Sequence, residues 1–176
     1  LRWPRHPLQQ GRPGRRDGAG RGEAARALAR ILDTNLTSAF FGAKYQVPAI
    51  QARGGGSLIF TSSFVGYTAG LSGMSAYAAS KAGQIGLVKA LAAELGSQRI
   101  RVNALLPGGT DTPASLTNAP DAGPEVLAFV EGLHALKRLA RPEEIARAAL
   151  FLASDAASFV TGTAFLADGW VSIQRG

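Results

Sequence analysis

The sequence predicts an α/β fold in which a parallel sheet carries helices on both of its faces. Short apolar runs, typical of buried strands, alternate along the chain with longer segments whose apolar residues recur every three or four positions. The stretches between the apolar runs are long enough to hold a helix, as a parallel crossover requires. Such crossovers are right-handed, so the helices are expected to cover both faces of the sheet.

The first predicted helix covers residues 23–51, where apolar side chains recur at helical spacing. Gly54-Gly55-Gly56 ends this element. Residues 57–61, Ser-Leu-Ile-Phe-Thr, form a short apolar run that predicts a buried parallel strand. Residues 62–73 follow as a loop with three glycines, which suits a bend beside a ligand.

The same alternation continues to the end of the chain. The further predicted elements are a helix at 74–95, a strand at 101–106, helices at 124–134 and 143–153, and a strand at 164–166. Pro107-Gly108-Gly109 stops the middle strand, and residues 110–122 predict a loop rich in Thr, Pro, Asn and Asp. Ligands in sheets of this kind bind beyond the carboxyl ends of the strands, so the loops after residues 61 and 106 should share one rim.

Tyr77 and Lys81 form the most informative pair in the sequence. They lie four residues apart in a predicted helix, so both side chains emerge on the same face. A neighbouring positive charge favours the phenolate form of a tyrosine. The pair therefore predicts a phenol that acts as an acid or base near neutral pH.

Composition limits the other chemistry that is open to this chain. Its 176 residues contain no cysteine, and two isolated histidines, His6 and His134, make a poor metal cage. We therefore predict no metal site. The sequence has no run of 18 apolar residues, and its N-terminus lacks the pattern of a signal peptide. We expect a cytoplasmic protein that does not bind a membrane.

The basic residues are concentrated at the start of the chain. Residues 1–30 hold eight arginines against Asp17 and Glu23, which is a net charge of +6 out of the chain's +7. We predict that residues 1–22, rich in Gly, Pro and Arg, are a disordered or non-native leader, and that residues 23–176 belong to a single folded domain. No nucleic acid is expected as a partner, because the charge does not lie on a folded face. Binding through the leader is the alternative, and it would weaken steeply with salt.

Several separate motifs occur in one order along residues 32–169. Each alone has an ordinary explanation: Tyr77 and Lys81 as a helix face, the serine pair as a strand end, and Pro107-Gly108 as a turn. Together they resemble the short-chain dehydrogenase/reductase family. The motifs are Asp33-Thr34-Asn35-Leu36, Thr61-Ser62-Ser63-Phe64-Val65-Gly66, Tyr77 with Lys81, Pro107-Gly108-Gly109-Thr110-Asp111-Thr112, and Arg141-Pro142-Glu143-Glu144.

The resemblance implies a role for each matched residue. Tyr77 would exchange a proton with the substrate oxygen while a nicotinamide exchanges a hydride with its carbon, and Lys81 would assist Tyr77 and bind the nicotinamide ribose. Ser63 would polarise the substrate oxygen, and it is preferred to Ser62 because the family pattern has a glycine three residues later. Asn35 would hold a water of a proton relay. The residues that would border the nicotinamide of NAD or NADP are Pro107, Gly108, Thr110 and Thr112.

The resemblance also implies a part that this sequence does not supply. A Rossmann-like dinucleotide fold opens with a strand, a glycine-rich turn and a helix that binds the pyrophosphate. Residues 14–20 match the glycine formula, but no apolar strand precedes them and they end fifteen residues before Asn35. We therefore predict a Rossmann-like sheet that lacks its first βαβ units, and weak or absent NAD(P) binding by this chain. We also hypothesise that residues 1–28 are an out-of-frame translation, which the encoding DNA would decide.

The leading interpretation is an NAD(P)-dependent oxidoreductase acting on a small alcohol or ketone, present here as its catalytic portion and expected to form a dimer or tetramer. Small and apolar residues in and after the loop at 112–123 favour an uncharged substrate. The alternative is a non-catalytic remnant that mediates subunit association through the helices at 23–51 and 74–95. Turnover that depends on Tyr77 would discriminate the two.

Overall fold

The structure is a computed structural model that describes residues 17–120 and 122–172. Most of the predicted leader, residues 1–16, lies outside the described residues. The principal elements are α1 Asp17–Leu32, a π-helical segment Asp33–Thr37, α2 Ser38–Ala52, β1 Gly56–Thr61, α3 Ser75–Leu95, β2 Ile100–Pro107, α4 Pro124–Leu133, α5 Pro142–Ala153 and β3 Ala164–Ala167. From β1 onward, each predicted helix and strand is present with its ends within one residue of the prediction.

The three strands form one parallel sheet in the order β1-β2-β3. Gly56 pairs with Ile100 at the start of the β1 and β2 ladder, and Ala104 pairs with Ala164 at the start of the β2 and β3 ladder. The helix α3 connects β1 to β2, while α4 and α5 connect β2 to β3. All three strands therefore end on the same edge of the sheet, as the prediction of a shared rim requires.

Helices cover both faces of the sheet. Alternate residues of β1 and β2 point to opposite faces, so Leu58 and Val102 pack into an apolar cluster with Val88 of α3 and Ala43 of α2. On the opposite face, the backbone carbonyl of Leu152 in α5 accepts hydrogen bonds from the Ser57 hydroxyl and the Arg101 guanidinium, at 2.9 and 2.8 Å. The predicted α/β fold with a parallel sheet is confirmed.

The first helical segment differs from its prediction in two ways. It begins at Asp17 rather than near residue 23, so residues 17–22 of the predicted leader are helical. It also contains the π-helical segment Asp33–Thr37, in which the Ser38 N–H bonds to the Asp33 carbonyl five residues before it. Such segments shift the hydrogen-bond ladder by one residue and often occur at functional sites.

Candidate active site

A cavity of about 510 Å³ lies at the edge where the strands end. Its walls come from the loop after β1, the first turns of α3, the loop after β2, and two apolar residues of α4, Val130 and Leu133. Ser63, Tyr77 and Lys81 all line this cavity. The side chains that the sequence predicted to act together therefore face one space.

Lys81 lies beneath the ring of Tyr77 on α3. Its Nζ is 5.6 Å from the centroid of the tyrosine ring and donates a hydrogen bond to the Thr61 carbonyl at 2.9 Å. Burial lowers the pKa of Lys81, because removing the ammonium from water disfavours its charged form. The structure therefore places the Lys81 ammonium beside the Tyr77 ring.

The two serines after β1 have different hydrogen-bond partners. The Ser62 hydroxyl donates to the backbone carbonyl of Lys81 at 2.9 Å, which ties the end of β1 to α3. The Ser63 hydroxyl instead accepts from the Val65 N–H at 3.1 Å, a contact that uses one of its lone pairs. Both side chains are buried. Since a hydroxyl that accepts one hydrogen bond can still donate another, this arrangement favours Ser63 over Ser62 as the hydrogen-bond donor to a ligand.

Close backbone approach brings the serine loop to Tyr77. Gly66 has a φ of +87°, and a Cβ placed there would lie 2.4 Å from the carbonyl oxygen of Ala78. Only glycine accepts both the left-handed backbone and this contact without a shift. Gly66 therefore lets the loop that carries Ser63 rest directly against the first turn of α3.

Asn35 lies behind the cavity rather than on its wall. Its side-chain amide donates to the Ser80 hydroxyl at 3.0 Å, and Ser80 donates in turn to the carbonyl of Tyr77 at 2.7 Å. The carbonyl of Asn35 accepts a hydrogen bond from the side-chain amide of Gln84 at 2.7 Å. The structure thus joins Asn35 to α3 at two points, within the π-helical segment.

The loop after β2 forms the opposite wall of the cavity. Pro107, Gly108, Thr110 and Thr112 all line it. The Gly108 N–H donates to the Ala167 carbonyl at 3.1 Å, and a Cβ at Gly108 would lie 2.6 Å from the carbonyl oxygen of Asp168. Gly108 therefore lets this loop lie against the end of β3, with its backbone beside the cavity.

Comparison with known proteins agrees with this geometry. Residues 21–172 match a family model described as enoyl-(acyl carrier protein) reductase. A cyclohexanol dehydrogenase from Acinetobacter sp. (strain SE19) is 42% identical over 144 residues, which cover 80% of this chain and 53% of that protein. This chain belongs to the short-chain dehydrogenase/reductase family. The predicted family resemblance is confirmed.

Two further relatives place the family assignment in context. Tropinone reductase-like 1 from Erythroxylum coca is 43% identical over 148 residues, covering 83% of this chain and 53% of that protein. The crystal structure of a putative gluconate dehydrogenase from Agrobacterium tumefaciens matches with a TM-score of 0.79 at 29% identity, over 86% of this chain and 58% of that one. The dehydrogenase/reductase chain therefore spans about half the length of the curated relatives it matches.

His134 is a residue of this short-chain dehydrogenase/reductase chain whose position the sequence did not reveal. It is 2% exposed, lines the cavity, and accepts a hydrogen bond from the Gly109 N–H through Nε2 at 2.9 Å. Nδ1 lies 2.8 Å from the Val130 carbonyl. Because the first partner only donates and the second only accepts, the imidazole is neutral with its proton on Nδ1. His134 thus joins α4 to the loop after β2.

Gln84 is the second residue that the motifs did not identify. It lies seven positions after Tyr77 and three after Lys81, so helical spacing puts it on the same face of α3.

Across residues 17–120 and 122–172, no helix is long and apolar enough to cross a membrane. The same residues contain no cluster of three or more His, Asp or Glu side chains that could hold a metal ion.

Proposed function

We propose that this chain is the catalytic and C-terminal portion of an NAD(P)-dependent oxidoreductase that interconverts an alcohol and a ketone. The observation that carries the proposal is the convergence of Ser63, Tyr77 and Lys81 on one cavity at the carboxyl ends of the strands. A hydroxyl donor, a phenol and an ammonium are the groups needed to move a proton on and off a substrate oxygen.

The loop after β2 fits the nicotinamide end of the cofactor. Gly108 leaves no space for a side chain against Asp168, so its backbone lies open to a planar ring on the cavity side. Pro107, Thr110 and Thr112 would border that ring, and Lys81 would bind the adjoining ribose. When it is bound, the nicotinamide supplies or accepts the hydride. The choice between NAD and NADP does not depend on these residues.

Each catalytic side chain then has one task. Tyr77 gives its phenolic proton to the substrate oxygen in reduction and takes it back in oxidation. The ammonium of Lys81 lies 5.6 Å from the ring centroid of Tyr77, so its positive charge is close to the oxygen that gives up the proton. Ser63 donates a hydrogen bond to the same oxygen, keeps its own proton, and stabilises the negative charge that develops there. Asn35, with a carbonyl that has a second lone pair, would hold a water that passes the proton onward.

The described residues do not supply a site for the pyrophosphate and adenosine of the cofactor. Gly18 and Gly20, from the glycine formula at residues 14–20, lie within α1. A pyrophosphate turn instead follows a strand and opens a helix. We therefore expect the isolated chain to bind NAD(P) weakly or not at all, and titration calorimetry with NADH and NADPH tests this.

The cavity walls favour a small uncharged substrate. Leu71, Met74, Val130 and Leu133 contribute apolar surface to the cavity, and no Asp, Glu or Arg side chain is among its described lining residues. Two relatives are named as a cyclohexanol dehydrogenase and a tropinone reductase-like protein. These names support a cyclic alcohol or ketone as the substrate class.

A fusion protein tests the proposal. The segment of the Acinetobacter cyclohexanol dehydrogenase that precedes its matched region would be joined to residue 32 of this chain, which supplies a nucleotide-binding half. We expect NAD(P)-dependent oxidation of cyclohexanol, and Ser63→Ala should lower kcat by about 10²-fold or more. Ser154→Ala, at a side chain that does not line the cavity, is the matched control. A fusion that turns over equally well with Ser63→Ala would contradict the assigned role.

Association between copies of the chain is a second proposed property, and an exposed aromatic surface on α2 supports it. Phe40, Phe41 and Tyr45 are 55%, 46% and 71% exposed. Large apolar side chains grouped on one exposed helix face are typical of subunit interfaces. Sedimentation velocity should detect a dimer or tetramer that Phe40→Glu dissociates, whereas a monomer at all concentrations would contradict it.

A further inference from the structure

Gln84 is a buried amide between the catalytic lysine and the asparagine behind the site. Its side chain is 5% exposed, so the polar atoms of the amide must find partners within the protein. Nε2 donates to the Asn35 carbonyl at 2.7 Å, and Oε1 accepts from the Lys81 Nζ at 3.4 Å. One side chain therefore contacts both groups.

The chemistry of its partners fixes the orientation of this amide. A backbone carbonyl only accepts, so the nitrogen of the Gln84 amide must face Asn35. The amide oxygen then faces Lys81, whose ammonium only donates. A flipped amide would oppose two acceptors at Asn35 and two donors at Lys81. The Gln84 side chain therefore forms a bridge between the Asn35 carbonyl and the Lys81 ammonium, and its amide has one stable orientation in that bridge.

The bridge also connects two elements that the chain separates. Gln84 and Asn35 are 49 residues apart, and Asn35 lies in the π-helical segment, where the backbone ladder is shifted by one residue. At its other end, Lys81 is held by Gln84 and by the carbonyl of Thr61 at the end of β1. Two of the three ammonium protons thus have defined acceptors, and this fixes the direction in which the third N–H points.

We propose that Gln84 is a positioning residue that joins the carbonyl of Asn35 to the ammonium of Lys81 and so fixes that ammonium at the base of the cavity. The proposal deepens the proposed function in one respect, since it rests on Lys81 acting with Tyr77. The bridge itself requires neither cofactor nor turnover. Gln84 would touch no reacting atom, and it would act through Lys81.

The titration of Lys81 reports on the bridge without any activity. An acceptor at the ammonium favours its charged form, and an anionic acceptor favours it more strongly. Gln84→Leu removes the acceptor and should lower the pKa of Lys81 further. Gln84→Glu replaces it with a carboxylate and should raise the pKa of Lys81 by about one unit or more. Among the described residues, the phenol of Tyr77 is a titratable group that lies against Lys81.

The experiment uses the 176-residue chain labelled with ¹³C at the lysine Cε, whose shift is followed by NMR against pH. A Lys81→Arg spectrum identifies the Lys81 signal. Gln46→Leu and Gln46→Glu, on the exposed surface of α2, are matched controls that should leave the titration within about 0.2 units of wild type. Tyr77→Phe shows how far the phenol of Tyr77 affects the titration of Lys81.

Opposite shifts of Lys81 in the Gln84→Leu and Gln84→Glu variants are the expected result. Titrations that match wild type in both variants, or that move in the same direction, would overturn the bridge. If circular dichroism shows that Gln84→Leu loses its helices, Gln84→Met, which keeps the side-chain length, takes its place with the same expected direction. Because no cofactor is present, these outcomes are independent of whether the fusion protein turns over.

Discussion

Replacing Gly66 by alanine is predicted to destabilise the fold and to separate the serine loop from α3. The residue has a φ of +87°, in the left-handed region. The added Cβ would lie 2.4 Å from the oxygen of Ala78 and 2.9 Å from its carbonyl carbon and Cα. All three atoms belong to the helix backbone, so no side-chain rotation can relieve the contact. Either the loop or the first turn of α3 must move.

The magnitude follows from three contributions. An L residue in the left-handed region costs about 1–2 kcal/mol, and forcing a methyl group into a packed site costs about 1–3 kcal/mol. The smaller conformational entropy of unfolded alanine offsets about 0.4–1 kcal/mol of this. The net loss in free energy of unfolding at Gly66 is therefore roughly 1–4.5 kcal/mol, with about 3 kcal/mol as the central value.

Urea unfolding followed by far-ultraviolet circular dichroism measures this loss. With a typical slope of about 2 kcal/mol per molar urea, the midpoint of Gly66→Ala should fall by about 0.5–2 M, with about 1.5 M as the central value, at an unchanged slope. Gly70→Ala is the matched control, because Gly70 lies in the same loop and an added Cβ there meets nothing within 4 Å. Equal midpoints for the two variants would refute the reasoning from close approach.

Two further predictions concern the supports around the cavity. His134→Ala removes both imidazole hydrogen bonds and leaves the Gly109 N–H without its partner, so the free energy of unfolding should fall by about 2–4 kcal/mol, whereas Leu136→Ala, at a side chain 63% exposed, should change it by less than about 1 kcal/mol. Equal urea midpoints for these variants would contradict the role of His134. Hydrogen bonds from Arg138 lower the pKa of Glu144 from 4.5 to about 2, so the carboxylate stabilises the fold above its ordinary pKa and this contribution is lost as pH falls toward 2. The difference in Tm between wild type and Glu144→Gln should therefore shrink from pH 5 to pH 2, and a constant difference across thermal melts in that range would show that the Arg138 contact does not stabilise the fold.

Local signals explain why most elements could be predicted from the sequence. The helix α2 ends just before Gly54-Gly55-Gly56, and the strand β2 ends at Pro107. Glycine weakens a helix because its backbone is unrestrained, and proline lacks a backbone donor, so each signal acts where it occurs. The apolar run at 57–61 is too short for a helix of the observed kind and is bounded by breakers. Such signals need no knowledge of the remainder of the fold.

The π-helical segment could not be predicted in the same way. One extra residue in the hydrogen-bond ladder at Asp33–Thr37 leaves the apolar spacing of residues 23–51 nearly unchanged. The earlier start of α1 at Asp17 has a similar cause, since a helix extends along a chain through its backbone bonds even where glycines weaken the pattern. The π-helical segment and the start of α1 both depend on backbone hydrogen bonds, which the spacing of apolar side chains does not reveal.

Some residues of the candidate site could be predicted from the sequence, and others could not. Tyr77, Lys81 and Ser63 were predictable because motif order and strand ends bring them together in any parallel sheet of this connectivity. Helical spacing puts Gln84 on the face of Tyr77 and Lys81, but it does not show that Gln84 is buried or that Asn35, 49 residues away, is its partner. His134 has no spacing signal, and its partner Gly109 lies 25 residues away. Their importance appears only when burial forces each polar atom to find a partner.

The most direct test of the central claim is the kcat of the Tyr77→Phe variant in the fusion protein, measured as cyclohexanol oxidation with saturating NAD(P). Removing one hydroxyl from the cavity should lower kcat by about 10²–10⁴-fold, because the substrate oxygen loses its proton acceptor. Tyr45→Phe, the same change at a side chain 71% exposed on α2, should leave kcat unchanged. A Tyr77→Phe fusion that retains the wild-type kcat would contradict the account.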